Sequence, residues 1–330
     1  MLSGADCVMA KPVISQNEKS QGVMKRPWIY VIGLLAGCAI IGVSCTGAQS
    51  PSPSGPVAAS PAQDPASQIS ISDRVSELRS IAGASQCASH EWPERRGIAP
   101  QSYIEGMALV FARTVCQPQR ADVQVVSAPV DAARNGDDGL VIYQQIFQNN
   151  GMSNDTAGLD TLRHTYVLLL GLGMMESSGK YCEGRDVSQC FVEADSAEAG
   201  LFQTSYGARR FSPTLPQLFQ TYSGDRSHCL LDVFKGSISC PVRHSHNQQC
   251  PNATNDVAGT GPGADWQRLT KICPAFATEY AAVVLRRHGG PFGEFNPIRK
   301  RQADVHPACD GMLKQVQTYV QQHPDVCRGL

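Results

Sequence analysis

Between positions 166 and 203 the chain places an apolar run, VLLLGLGMM, directly before Glu176-Ser177-Ser178-Gly179. After an acidic loop bounded by Cys182 and Cys190 comes Ala199-Gly200-Leu201-Phe202-Gln203. A glutamate that closes an apolar helix lies against hydrocarbon and near the negative end of the helix dipole, and both effects disfavour its ionised form. A carboxyl still protonated near neutral pH can protonate the departing oxygen of a glycosidic bond and then take a proton back as a base. Glu176 is therefore the candidate general acid/base, with Ser177 beside it and the small residues that follow leaving room for a bulky ligand. A second carboxylate that activates water would make the reaction a hydrolysis; Asp186 and Asp195 are the candidates, with Glu183, Glu193 and Glu198 also in the stretch between the two motifs.

The Glu-Ser-Ser-Gly stretch, the aromatic Tyr181 and, after the loop, residues 195–203 (DSAEAGLFQ) together resemble the lysozyme-like superfamily, with soluble lytic transglycosylases and goose-type lysozymes as its nearest members. The resemblance covers residues 162–206. It implies an all-α, α-rich, lysozyme-like fold in which Glu176 is the acid/base and Gly200, Leu201, Phe202 and Gln203 line the sugar cleft. Tyr206 and Tyr280 are aromatic candidates for stacking on sugar faces. The chain departs from the family pattern at two places: Glu294-Phe295-Asn296-Pro297 stands in for a Tyr-Asn-Ala-Gly element, and Ser205 occupies the position where goose-type lysozymes carry an aspartate.

The elements that must hold this site belong to an exported chain. Of 330 residues, 17% are charged and the formal net charge is −1, which excludes bulk attraction to nucleic acid and suits a neutral or mildly charged polymer. Met24-Lys25-Arg26 precedes an apolar run over residues 28–43, the layout of a bacterial export signal, whether translation starts at Met1 or Met24. Cys38 follows a Leu-Ala-Gly triplet that resembles a lipoprotein lipobox, while Cys45 stands where the polar sequence begins. Either is a candidate for lipidation, and an uncleaved anchor is the third possibility. The expected location is the cell envelope, anchored to the membrane and facing the periplasm of a Gram-negative cell. Residues 1–45 are thus read as signal or anchor, 46–70 as a flexible Pro/Ser/Ala linker and 71–330 as the catalytic domain.

Ten cysteines lie beyond the signal: Cys87, Cys116, Cys182, Cys190, Cys229, Cys240, Cys250, Cys273, Cys309 and Cys327. An even number in an exported chain predicts a disulfide framework. Sequence proximity offers Cys182 with Cys190 and Cys309 with Cys327. Helices are predicted over residues 72–82, from a capping box at Ser102 to Cys116, over 140–147 behind an Asp138 N-cap, over 162–175 with Asp160 just upstream as N-cap, and over 213–222, 274–288 and 308–321; residues 121–130 alternate like a short strand. The polar, cysteine-rich stretch 225–263 is read as an inserted, disulfide-stapled loop. Within it Cys240, His244, His246 and Cys250 have zinc-ligand chemistry at a spacing unlike that of a familiar finger, so no metal or other cofactor is expected. The expected activity is cleavage of peptidoglycan glycan strands between N-acetylmuramic acid and N-acetylglucosamine, by transglycosylation in preference to hydrolysis. The contrasting readings are a non-catalytic glycan-binding envelope protein and a zinc peptidase.

Overall fold

The computed structural model describes residues 70–130, 137–187 and 193–330, all within one compact unit, Asp64–Leu330. The segment read as signal, the one read as linker up to residue 69, Cys38, Cys45 and Cys190 lie outside the described residues. Helix dominates: α1 (Ile71–Gly83), a two-stranded antiparallel hairpin β1 (Glu91–Trp92) and β2 (Gly97–Ile98), α2 (Gln101–Cys116), α3 (Ala121–Val126), α4 (Gly139–Ile142), α5 (Gln144–Asn149), α6 (Leu159–Ser177), α7 (Thr214–Gly224), α8 (Leu231–Lys235), α9 (Pro262–Ile272), α10 (Pro274–His288), α11 (Asn296–Arg299) and α12 (Pro307–Gln322). Single 3₁₀ turns cover Tyr206–Phe211 and Pro324–Gly329.

Three helices form the centre because each is apolar around nearly its whole circumference. Helix α6 is buried from Thr161 through Met175, α2 from Tyr103 to Thr114 and α10 from Pro274 to Arg286. Helix α6 packs against α2, α3, α10, α11 and α12. Two of its glycines allow that approach: a Cβ at Gly171 would lie 2.2 Å from the Asp304 carbonyl oxygen, and one at Gly173 would lie 2.4 Å from the Tyr103 hydroxyl. That hydroxyl donates to the Leu170 carbonyl at 2.8 Å, fixing α2 against the middle of α6. The buried charges around α10 are paired, as burial demands. Glu279 on α10 receives Arg120 and the Tyr222 hydroxyl, and Arg286 holds Asp138 at 3.0 Å.

Several local expectations change. Residues 121–126 are helical, and Asp122, Val123 and Val126 turn inward on one face, so tertiary packing overrides the β-branched alternation. Helix α6 begins behind Gly158, which puts Asp160 inside its first turn, where it pairs with Arg163 at 2.6 Å. Helix α2 starts behind Pro100 without a side-chain cap: Glu105 is drawn into an ion pair with Arg79 at 2.7 Å instead of closing a box with Ser102. Asp138 does cap α4, accepting the Leu140 N–H at 2.9 Å. The stretch 225–263 is no bare loop, since it holds α8 and the start of α9, whose Trp266 is fully buried.

The bridges with both ends described are Cys87–Cys309, Cys116–Cys327, Cys182–Cys240 and Cys229–Cys273, and Cys250 is also disulfide-bonded. Neither proximity pairing is present: Cys182 reaches across to Cys240, while Cys309 returns to the turn after α1 and Cys327 to the end of α2. The fold brings α1 and α2 against α12, so spatial neighbours replace sequence neighbours. Closing a loop of 222 residues stabilises by about 5 kcal/mol in the chain-entropy account. Such bridges belong to an oxidising, exported environment. Among the described residues no helix is long and apolar enough to cross a membrane.

Candidate functional site

Helix α6 ends abruptly, and Glu176 stands in its last turn. Ser178 takes the left-handed conformation (φ 53°) and donates its N–H to Met174 at 3.0 Å, while Ser177 donates its hydroxyl to the Gly173 carbonyl at 3.0 Å. Gly179 follows at φ 73°, where a Cβ would meet the Tyr103 ring at 2.9 Å. The chain therefore leaves the helix axis at once, and Glu176 faces a cleft of about 630 Å³, within the range of small-molecule and cofactor sites.

Six segments wall this cleft. The α6 terminus supplies Met175 to Ser178, the β-hairpin supplies Arg96, and the loop after α6 supplies Lys180 and residues 183–187. Glu198 and Gln203 flank a tight turn, and the cysteine-rich stretch contributes Arg243, His244, His246 and Asn255. The loop before and into α11 adds Glu294, Asn296 and Arg299. Residues 180–187 are held by, among others, the Cys182–Cys240 bridge, the Arg185 N–H donating to the Asn255 carbonyl at 2.9 Å, and the Gly200 N–H donating to the Glu183 carbonyl at 3.0 Å. Only glycine fits at 184, since a Cβ there would lie 1.9 Å from the Asn255 carbonyl oxygen.

Gln203 is the strut between two of these segments. Its backbone is left-handed (φ 46°), and its Nε2 donates to Gly184 at 3.0 Å and Gly200 at 2.9 Å. Both amide hydrogens are thereby committed to the loop, and the amide oxygen is the atom left for a ligand.

The electrostatics of Glu176 follow from this placement. Half-buried, it is pushed up to about 8, first by burial and then by the charges of Glu198 and Glu294, against a downward pull from Arg96 and Arg299. Glu198 lies exposed at the cleft lining, where partial desolvation and the neighbouring Glu294 and Asp186 push its carboxyl up to about 7. Glu176 thus favours the protonated form near neutral pH, while Glu198 is close to half-protonated there.

The residues picked from sequence divide into those that meet here and those that do not. Glu176, Ser177, Gln203 and Asp186 line the cleft. Leu201 and Phe202 are buried in the core, and Gly200 (φ 80°) packs on Thr270, so these three shape the turn from behind. Tyr206 stands outside the lining, beneath the Arg209 guanidinium at 3.9 Å. Tyr280 is fully buried, and its hydroxyl donates to the Ser205 carbonyl at 3.2 Å. Asp195 pairs with Arg209 at 3.1 Å outside the cleft, and Glu193 is also absent from the lining. Glu183 lines it but is engaged by Arg243 at 3.3 Å.

Cys240 and Cys250 are tied up in disulfides, which removes them as metal ligands. Among the described residues no group of three or more His, Cys, Asp or Glu side chains is placed to hold a metal ion. Sequence reasoning missed Glu294, Arg299 and Arg96 as cleft residues. They sit in short connections with no periodicity to mark a facing side. No protein-family model, curated protein or solved structure matches this chain.

Proposed function

We propose that the chain is a lysozyme-like peptidoglycan-cleaving enzyme, a lytic transglycosylase, acting on the β-1,4 bond between N-acetylmuramic acid and N-acetylglucosamine. Its place would be the periplasmic side of the cell envelope, as a membrane-anchored lipoprotein. The observation that carries this reading is Glu176: a carboxyl pushed up to about 8 at the end of a buried helix, lining an open cleft beside Gln203. In the first step the protonated Glu176 gives its proton to the glycosidic oxygen as the bond from that oxygen to the muramyl C1 breaks. The muramyl 6-hydroxyl then attacks C1, and the Glu176 carboxylate takes up the hydroxyl proton. The product is a 1,6-anhydro sugar, and Glu176 is restored to its acid form. No cofactor enters this scheme.

A second reading, hydrolysis, is favoured by one specific observation: Glu198 lines the same cleft and interacts electrostatically with Glu176. As a carboxylate it would activate water in place of the 6-hydroxyl. With Asp195 outside the cleft, Glu198 and Asp186 remain the groups able to play that part.

Purified sacculi incubated with the wild type and with Glu176→Gln, followed by mass analysis of the soluble products, test the proposal. Removing a general acid typically lowers the rate by about 10² to 10⁴. Anhydro products from the wild type alone are expected, and hydrated products would favour the Glu198 route. Equal release by both proteins would remove Glu176 from the chemistry, and release by neither would leave a non-catalytic glycan-binding protein.

A further inference from the structure

The arginines of the described residues fall into two groups. Those on the body of the fold mostly have carboxylate partners: Arg74 with Asp325, Arg79 with Glu105, Arg163 with Asp310, Arg286 with Asp138. In the cleft, Arg243 and Lys180 both lean on Glu183, at 3.3 and 4.0 Å. Arg96, Arg185 and Arg299 line the same cleft and have no carboxylate partner among the described residues. Arg96 donates to the Ser178 hydroxyl at 3.3 Å, the Arg185 guanidinium donates to the Asp186 carbonyl at 3.4 Å, and Arg299 donates to the Gly293 carbonyl and, at 3.4 Å, to Asn296.

The Nε of Arg185 is moreover buried without any hydrogen-bond partner. A buried guanidinium donor left unpaired is costly unless a ligand completes it. Guanidinium forks match carboxylates in a planar, two-point fashion.

We infer that the cleft selects glycan strands whose muramyl units carry a carboxylate, with Arg185 and Arg299 as the specificity residues that receive it. This rests on the glycan-cleaving reading and narrows it. The carboxylate has two chemical sources: the peptide stem attached to the lactyl group, or the bare lactyl acid of a strand from which the stem has been removed.

The test uses the full chain carrying Glu176→Gln, so that bound glycan survives, and measures affinity by calorimetry for three ligands of equal sugar count. These are stem-bearing strands, strands stripped by an amidase, and a chitooligosaccharide with no carboxylate. At least one carboxylate-bearing ligand is expected to bind about tenfold more tightly than the chitooligosaccharide, the scale of one charge-assisted hydrogen-bonded pair. The excess should shrink as salt is raised. Preference for the stem-bearing strand assigns the stem as the source, and preference for the stripped strand assigns the lactyl acid.

Arg185→Gln should erase the excess while leaving chitooligosaccharide affinity in place, and Arg299→Gln, carried by a different element, should reduce it independently. Thermal melts of both variants separate misfolding from lost recognition. Equal affinity for all three ligands, or an Arg185→Gln loss shared equally by all three, would overturn the inference. Muropeptide release by the wild type is scored separately, so failure of the cleavage reading and failure of carboxylate selection give different results.

Discussion

Glu294 accepts two hydrogen bonds from Ser205, one from the backbone N–H at 3.0 Å and one from the hydroxyl at 2.6 Å, across 89 residues of chain. These are the two places where the sequence leaves the pattern it otherwise resembles, and in space they meet. Tyr280 completes the arrangement from behind, its hydroxyl donating to the Ser205 carbonyl at 3.2 Å. A tyrosine read from sequence as a sugar contact thus supports the residue that anchors a cleft carboxylate.

Because Glu294 pushes both Glu176 and Glu198 upward, Glu294→Gln should lower the pKa of Glu176 while keeping an oxygen for Ser205 to donate to. The alkaline limb of the pH–rate profile is expected to move to lower pH. Arg96 acts on Glu176 with the opposite sign, so Arg96→Gln should move that limb to higher pH. Two limbs that shift in the same direction would count against Glu176 as the titrating acid.

Stability should carry the same signature. The folded-state pKa of Glu176 is raised from 4.5 to about 8, so its ionisation opposes folding. The contribution of the neutral carboxyl is fully present below about pH 4.5 and is lost as pH rises through 8. Glu176→Gln is therefore expected to match the wild type in thermal melts near pH 4. Above pH 8 it should be more stable, by an amount on the order of a few kcal/mol. A wild type that stays as stable as the variant at pH 9 would show that the carboxyl ionises without cost, and the general-acid assignment would lose its basis.

Much of this site was legible in the chain, for a physical reason. An unbroken apolar run followed by a glutamate and small residues can only be a buried helix with an acid at its end, and α6 is that helix. The ends of α10 were marked by Pro274 and by Gly289 just beyond His288. What could not be read was which side of a helix or loop faces the cleft. Tyr280 and Tyr206 have suitable chemistry, but helical spacing does not say which neighbour lies opposite. Glu294, Arg96 and Arg299 come from short connections whose direction is set by contacts far away in sequence. The same holds for Cys182: its neighbour Cys190 is eight positions away, yet its partner is Cys240, 58 residues on.

That bridge yields the next expectation. Replacing both Cys182 and Cys240 by Ser removes a loop closure worth about 4 kcal/mol in the chain-entropy account. It also frees one of the holds on residues 180–187, including cleft-lining Arg185. The variant is expected to show a lowered Tm and a raised KM for glycan strands, with kcat affected less because Glu176 is held by α6. A fall in kcat at unchanged KM would indicate that the loop acts on the chemical step.

The two longest bridges, Cys87–Cys309 and Cys116–Cys327, join the opening helices to the closing ones. The intervening chain, with every segment that walls the cleft, is covalently a ring. A protease that cuts any bond between residues 117 and 308 opens the ring without releasing a fragment, and the severed halves stay fastened at two points. In a compartment shared with hydrolases, a molecule built this way keeps its pieces together after a first cut.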